Sequence, residues 1–139
     1  MTVLAVIAGL APVLIALLSL SGLISAAETS MTAASRGRMH QLEREGDRAA
    51  KRVNGMIADQ EKMIGAILLS NNVINIGASA LTTVTLATVF PGPVGALIAT
   101  AVMTVLIVIF SEILPKSLAI TRPDDVARFL SLPTFWVVK

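Results

Sequence analysis

The sequence predicts an all-α membrane protein with three transmembrane helices, cytoplasmic juxtamembrane amphipathic helices and a truncated fourth hydrophobic segment. Of its 139 residues, 55% are hydrophobic and only 14% are charged, and the mean hydropathy is +0.80. Soluble domains carry about 25% charged residues, and a small globule cannot bury this much apolar surface. Three apolar stretches of bilayer length and a one-sided distribution of basic residues complete the prediction.

Each predicted span has at least the roughly 20 residues that a bilayer requires, and the spans cover about residues 3–24, 63–89 and 94–114. Pro12 is expected to kink the first span. No basic residue precedes this span, so we interpret it as a retained helix rather than a cleaved signal. The uncharged Phe-Pro-Gly-Pro segment at 90–93 predicts a tight turn that makes spans two and three antiparallel neighbours.

Every lysine and arginine before Lys139 lies in one of two links, residues 30–62 and 116–133. Three crossings place both links on the same side of a membrane. The positive-inside rule then predicts that this side is cytoplasmic and that the N-terminus lies outside. The sequence therefore predicts a multi-pass membrane protein.

The first link has apolar residues at helical spacing, with Gly46 as a weak point: Met39, Leu42, Ala49, Val53 and Met56. This pattern predicts an amphipathic helix against the inner leaflet, and the alternative is a solvated helical hairpin. In the second link, Pro123 and two aspartates predict a helix start, and Pro133 is expected to end that helix. The aromatic residues that follow indicate the beginning of a fourth hydrophobic segment.

Each predicted span carries polar side chains at helical spacing. Ser21 and Ser25 are four residues apart, as are Asn71 and Asn75, and Glu112 ends the third apolar stretch. Hydroxyl, amide and carboxylate oxygens are hard donors that suit Mg²⁺, Ca²⁺ or Na⁺. Pro115 is expected to bend or end the third helix, which would free backbone carbonyls upstream.

A structural interpretation of these polar residues stays open. Serine, threonine and asparagine also hold membrane helices together without any ligand, and Gly95 and Ala99 form a small-residue packing pair. Lys116 lies one turn after Glu112, so the two could form a simple salt bridge. An intramembrane carboxylate nevertheless favours a functional role, because its burial is costly.

Several function classes are excluded. The chain has no cysteine, which rules out disulfides and thiolate metal sites, and its one histidine, His40, lies outside the spans. No Ser-His-Asp set or glycine-rich phosphate loop is present, so we do not expect an enzyme. The basic link lacks interleaved aromatic residues, so no nucleic-acid partner is expected.

Three motifs resemble the transmembrane domain of the CNNM/CorC (CorB) family, which includes hemolysin-family and magnesium and cobalt efflux proteins. Residues 24–29 (Ile-Ser-Ala-Ala-Glu-Thr) resemble the family's Phe-Ser-x-x-Glu-Thr. Residues 70–75 (Ser-Asn-Asn-Val-Ile-Asn) resemble Gly-Asn-Asn-x-x-Asn, and residues 112–116 (Glu-Ile-Leu-Pro-Lys) resemble Glu-x-x-Pro-Lys. The chain departs from the pattern at Ile24, in place of phenylalanine, and at Ser70, in place of glycine.

The resemblance implies a homodimer in the lipid bilayer, with an inward-facing acidic cavity that holds a dehydrated Mg²⁺. It implies Mg²⁺ export, with Na⁺ as the coupling ion, and a CBS-type cytoplasmic domain in full-length members. Carried over by motif and position, the metal ligands are Ser21, Ser25, Asn71, Asn75 and Glu112. The alternative functions are a Mg²⁺-sensing membrane anchor that signals through an absent cytoplasmic domain, and a passive helical scaffold.

Overall fold

A computed structural model describes residues 2–139, and its regular elements in that range are all helical. In chain order the elements are α1 (Val3–Ala33), α2 (Arg36–Arg44), α3 (Arg48–Ala58), α4 (Gln60–Ala87), α5 (Pro93–Leu106), a π-helix (Ile107–Ile113), α6 (Leu114–Thr121) and α7 (Pro123–Val138).

Three helical segments are long and apolar enough to cross a membrane: Val3–Ala33, Gln60–Ala87 and Pro93–Thr121. They confirm the all-α membrane class. On the side of the basic links, the first and third segments end later than predicted and the second begins earlier. The helices continue there into a buried core. Met31, beyond the predicted end of the first span, is 1% exposed within that core. Helix α1 is central, since it contacts α4, the π-helix, α6 and α7.

The core is divided into two clusters along α1. One joins α1 to α4 and α5 and contains Leu10, Leu14, Leu18, Ala78 and Met103. The other joins the basic ends of α1 and α4 to α2, α3 and α7, and its buried members include Met31, Met39, Val53, Met63, Ile67 and Ala127. Large apolar side chains on the outer surfaces of the long helices remain exposed, which is typical of helices that face lipid.

The first link is a pair of helices rather than one. Gly46, with φ of 93°, separates α2 from α3, so the weak point predicted at this glycine is confirmed. The predicted packing partner is wrong. Met39, Val53 and Met56 are buried against the protein core, whereas the sequence pattern favoured contact with the inner leaflet. An amphipathic pattern alone does not distinguish these two apolar surroundings.

The prolines interrupt less structure than predicted. Helix α1 continues through Pro12, and α7 continues through Pro133, so the prediction that Pro133 ends its helix is wrong. Proline removes one N–H and leaves the carbonyl four residues earlier without a donor. For Pro133 that carbonyl belongs to Phe129, and both residues lie on the exposed side of α7. Pro115 does not end the third span either, which passes through a π-helix into α6.

The turn between α4 and α5 depends on two glycines. Gly92 has φ of 81°, which side-chain-bearing residues rarely adopt. Gly95 lies under the turn, where an added Cβ would come within 2.6 Å of the Phe90 carbonyl oxygen. The turn is therefore as tight as predicted, and Gly95 packs as a small residue for a local reason.

Asp47 joins the basic link to α7. Its carboxylate accepts hydrogen bonds from the backbone N–H groups of Ala49 (2.8 Å) and Ala50 (3.1 Å) and caps α3, and it pairs with the guanidinium of Arg128. The Ala50 N–H is the main cause that holds the pKa of Asp47 below its ordinary value of 3.8. Arg128 and the Ala49 N–H lower this pKa further, and partial burial opposes them.

The lowered pKa of Asp47 predicts acid sensitivity of this junction. Because the ionised carboxylate favours the folded state, its contribution is present above the ordinary pKa and is lost as the pH falls through the folded pKa. We expect the melting temperature to fall as the pH is lowered below the ordinary value of 3.8. Asp47→Asn retains a capping oxygen and should melt with a shallower pH dependence. An unchanged pH profile in this variant would contradict the assignment.

Candidate ion site between the three spans

Oxygen atoms from the first and second spans meet at Ser21. In the assigned orientation of the two amides, the Ser21 hydroxyl lies 2.8 Å from Oδ1 of Asn75 and also contacts Oδ1 of Asn71. Ser21 is fully buried and Asn71 is 9% exposed. One hydroxyl proton cannot serve both amide oxygens at once. The arrangement therefore concentrates acceptor oxygens that a cation would satisfy.

Ser25 lies one helical turn from Ser21 on the same face of α1. Its side chain is fully buried, and its hydroxyl oxygen has no hydrogen-bond partner among the described residues. Buried hydroxyls normally find a partner, because an unpaired one loses its hydration without compensation. An unpaired oxygen one turn from the contacts of Ser21 with Asn71 and Asn75 is typical of a position where a bound ligand supplies the missing partner.

The third span contributes a backbone oxygen near the same level. The Leu114 N–H bonds to the Ile109 carbonyl, five residues earlier, and the next residue, Pro115, has no N–H. The Phe110 carbonyl is therefore left without a donor in this five-residue register. It faces Gly22 of α1, where a Cβ would lie 3.0 Å from both this oxygen and Pro115 Cγ. The freed carbonyl expected from Pro115 is thus present and points at α1.

The structure does not join Glu112 to this group. The neighbouring Ser111 is buried and donates a 3.5 Å hydrogen bond to the Leu18 carbonyl of α1. Glu112 itself is exposed in the single chain, and among residues 2–139 its carboxylate has no hydrogen bond and no ion pair. The expected alternative of a Glu112–Lys116 salt bridge is accordingly absent from the described residues.

A groove lined by hydroxyl groups continues from Asn75 between α4 and α5. Two neighbouring cavities of about 370 and 280 Å³ share Ser79, Thr83 and Ile107. The hydroxyls of Thr83 and Thr104 donate to carbonyls of their own helices at 2.9 and 2.7 Å. Their protons are occupied, so their lone pairs remain available as acceptors towards the groove.

Sequence reasoning identified Ser21, Asn71 and Asn75, because their four-residue spacings place them on single helix faces. It missed Gly22 and Ser111, the contacts by which the third span packs on α1. Gly22 could have been recognised from its position between Ser21 and Ser25, on the face of α1 that packs against the third span near Pro115. Asn72, which flanks the amide pair, is exposed and does not join the group. No cluster of three or more His, Cys, Asp or Glu was found in the part of the chain that the structure describes.

The fold and these oxygen atoms define an all-α membrane domain with a polar centre between its spans. The family model described as the Cyclin M transmembrane N-terminal domain (CNNM) matches residues 12–139. This match covers most of the chain, and the chain therefore belongs to the CNNM family.

Curated relatives agree with this family. The chain is 33% identical over 129 residues to the UPF0053 inner membrane protein YfjD of Escherichia coli, covering 86% of this chain and 30% of that protein. It is 34% identical over 119 residues to a UPF0053 protein of Haemophilus influenzae, covering 86% and 28%. It is 37% identical over 126 residues to a putative chloroplastic DUF21 domain-containing protein of Arabidopsis thaliana, covering 90% and 19%. The chain thus spans less than a third of the length of these relatives.

A substitution at Ser25 distinguishes an ion-binding role of the polar residues from a role in helix packing alone. We expect Ser25→Ala to leave the melting temperature unchanged or raised, because it removes no hydrogen bond and relieves an unpaired buried hydroxyl, a cost of about 1–3 kcal/mol. The same change should reduce the Mg²⁺-dependent rise in melting temperature. Ser30→Ala, at a buried serine bonded to the Ala27 carbonyl of its own helix, is the matched control and should retain that rise. Retention of the full rise in Ser25→Ala would contradict the ligand role.

Proposed function

We propose that this domain transports Mg²⁺ across a membrane, in the outward direction, through an intramembrane site that includes Ser21, Ser25, Asn71, Asn75 and Glu112. The observation that carries the proposal is the convergence of the Ser21, Asn71 and Asn75 oxygens around a single hydroxyl proton. Such oxygens suit Mg²⁺, which prefers hard donors and approximately octahedral coordination.

Glu112 supplies the negative charge in this proposal. A dehydrated divalent ion between apolar helices needs a nearby carboxylate, since neutral oxygens alone do not compensate its charge. Glu112 lies at the far end of the π-helix from α5. A change of helical register by one residue rotates the following side chains by about 100°. We propose that this rotation carries the carboxylate towards and away from the amide oxygens.

The hydroxyl groove from Asn75 towards Thr104 offers the ion a route away from the site. Its acceptor oxygens replace part of the hydration shell that the ion loses. In this mechanism the site alternates between exposure to the basic side and exposure to the groove. Na⁺ suits the same hard oxygens, and we propose it as the coupling ion.

The proposal also includes the orientation of the domain in the membrane, its oligomeric state and the architecture of the full-length protein. The basic links lie in the cytoplasm and the N-terminus lies outside, in a bacterial inner membrane. Two copies of the chain form a homodimer through exposed apolar helix faces, and a cytoplasmic CBS-type domain completes the full-length protein. The small share of each relative that the chain covers supports a longer protein.

Reconstitution tests the function directly. Proteoliposomes that contain the chain and an internal Mg²⁺ indicator should show Mg²⁺ entry driven by a concentration gradient, and an opposing Na⁺ gradient should change its rate. Empty liposomes provide the background. Mg²⁺-dependent thermal stabilisation without flux would instead favour a Mg²⁺-sensing anchor, and the absence of both would favour a passive helical scaffold.

A further inference from the structure

A second site lies on the basic side of the domain, outside the polar centre. A cavity of about 670 Å³ opens between α3, the start of α4 and the last turn of α7. Five basic residues line it against a single carboxylate side chain, that of Asp59; they are Arg48, Lys51, Arg52, Lys62 and Lys139. The cavity therefore carries a strong excess of positive charge.

These cations are not neutralised within the described chain. The ion pairs found among residues 2–139 involve Arg38 and Arg128, so none of the five is paired with a carboxylate. Arg52 is held in place, since its Nε donates a 3.2 Å hydrogen bond to the hydroxyl of Ser131 on α7. A fixed guanidinium among unpaired ammonium groups is an arrangement that recognises phosphate.

The remaining wall of the cavity is apolar. Met56, Phe135 and Val138 line it, and Gly55 leaves open space, because an added Cβ at Gly55 would meet nothing within 4 Å. A purely ionic site for a soluble anion has no need of this wall. Apolar surface beside basic groups fits a ligand that is itself amphipathic.

A narrow apolar groove lies on another face of the same part of α7. Thr134 and Val137 line this groove together with Leu23 and Ile67 of the first two spans, whereas Phe135 and Val138 line the basic cavity. The two share no lining residue among those described, so the surface open to a hydrocarbon chain beside a bound phosphate is the apolar wall of the cavity itself.

We infer that the basic cavity binds the headgroup of an anionic phospholipid whose acyl chain lies against the apolar wall of the cavity, formed by Met56, Phe135 and Val138. Charge complementarity and this apolar wall favour a lipid over an acidic protein segment. The inference uses the proposed cytoplasmic orientation of the links, since the inner leaflet is the one rich in anionic lipid. It is independent of Mg²⁺ transport.

The single tryptophan offers a local probe. Trp136 is exposed, and its ring lies 6.3 Å from that of Phe135 in the cavity wall. Phosphatidylglycerol with brominated acyl chains, added to the chain in detergent micelles, should quench Trp136 fluorescence. Half-quenching should require a mole fraction about tenfold lower than with brominated phosphatidylcholine, because the basic residues of the cavity attract the anionic headgroup. Equal quenching by both lipids would overturn the inference.

Two pairs of variants locate the effect. Gly55→Leu fills the cavity without altering charge and should abolish the preference for phosphatidylglycerol, whereas Gly37→Leu, at an equally open glycine on α2, should retain it. The double variant Lys51→Gln/Lys62→Gln should also lose the preference. Arg36→Gln/Arg44→Gln removes the same charge from exposed positions on α2 and should keep it. Equal losses in test and control variants would overturn a discrete site.

Competition identifies the source of the phosphate. Millimolar inorganic phosphate should leave the quenching in place, since it gains nothing from the apolar wall of the cavity. Displacement of the brominated lipid by inorganic phosphate would assign the cavity to a soluble anion. Displacement by an equimolar glutamate-rich peptide would assign it to an acidic protein segment, and either result would overturn the lipid assignment.

Discussion

Glu112→Ala is expected to abolish Mg²⁺ flux while the domain remains folded. The carboxylate of Glu112 has no hydrogen bond or ion pair among the described residues and is exposed, so its truncation removes no polar contact from the fold. The proposed transport needs its charge to compensate the ion. Truncating one partner of a desolvated charged pair costs about 2–5 kcal/mol, which corresponds to a loss of flux of roughly thirtyfold to several thousandfold.

The measurement is Mg²⁺ flux into proteoliposomes, combined with the melting temperature in the absence of Mg²⁺. Glu61→Ala is the matched control, because Glu61 is an exposed acid in the first turn of α4, outside the predicted span. The control should transport at the wild-type rate. Wild-type flux in the Glu112→Ala variant would remove Glu112 from the mechanism.

The second large effect is expected at Gly22. Gly22→Leu should strongly lower the melting temperature, because the new Cβ would lie 3.0 Å from the Phe110 carbonyl oxygen and from Pro115 Cγ. These are backbone and ring atoms that cannot rotate away. Overpacking of a close contact typically costs about 1–3 kcal/mol, and it would also separate the third span from α1 beside Ser21.

Gly9→Leu is the control for this substitution. Gly9 lies on the same helix, and an added Cβ there would meet nothing within 4 Å. Its melting temperature should change little, and its Mg²⁺-dependent stabilisation should persist. Equal melting temperatures for the two variants, measured in the same detergent, would show that the close approach of α1 to the third span at Pro115 is not important for the fold.

Hydropathy and charge predicted the spans well because a bilayer imposes length and polarity on each helix separately. The shared helix face of Ser21 and Ser25, and that of Asn71 and Asn75, were also predictable, since four-residue spacing fixes which side chains share a face. In each case the deciding information lies within one helix or one turn.

Features that depend on packing between helices could not be predicted in this way. Pro115 indicated broken hydrogen bonds, yet the choice of a π-helix over Ile107–Ile113 rather than a bend depends on contact with α1. The apolar face of α3 was visible, but not that it packs against α7. The orientation of Glu112 depends on the same helix register, which explains why its position at the end of the third apolar stretch did not show that it lies apart from the asparagines.

The central claim is that oxygens of all three spans hold one divalent ion. Its most direct measurement is the anomalous scattering of Mn²⁺, a Mg²⁺ substitute, in a crystal of the chain. We predict one peak within about 2.0–2.3 Å of side-chain oxygens from α1 and α4, with the Glu112 carboxylate turned to complete the coordination. A crystal soaked in saturating Mn²⁺ that shows no peak among Ser25, Asn71 and Asn75, with Glu112 still turned to the outside, would contradict the account.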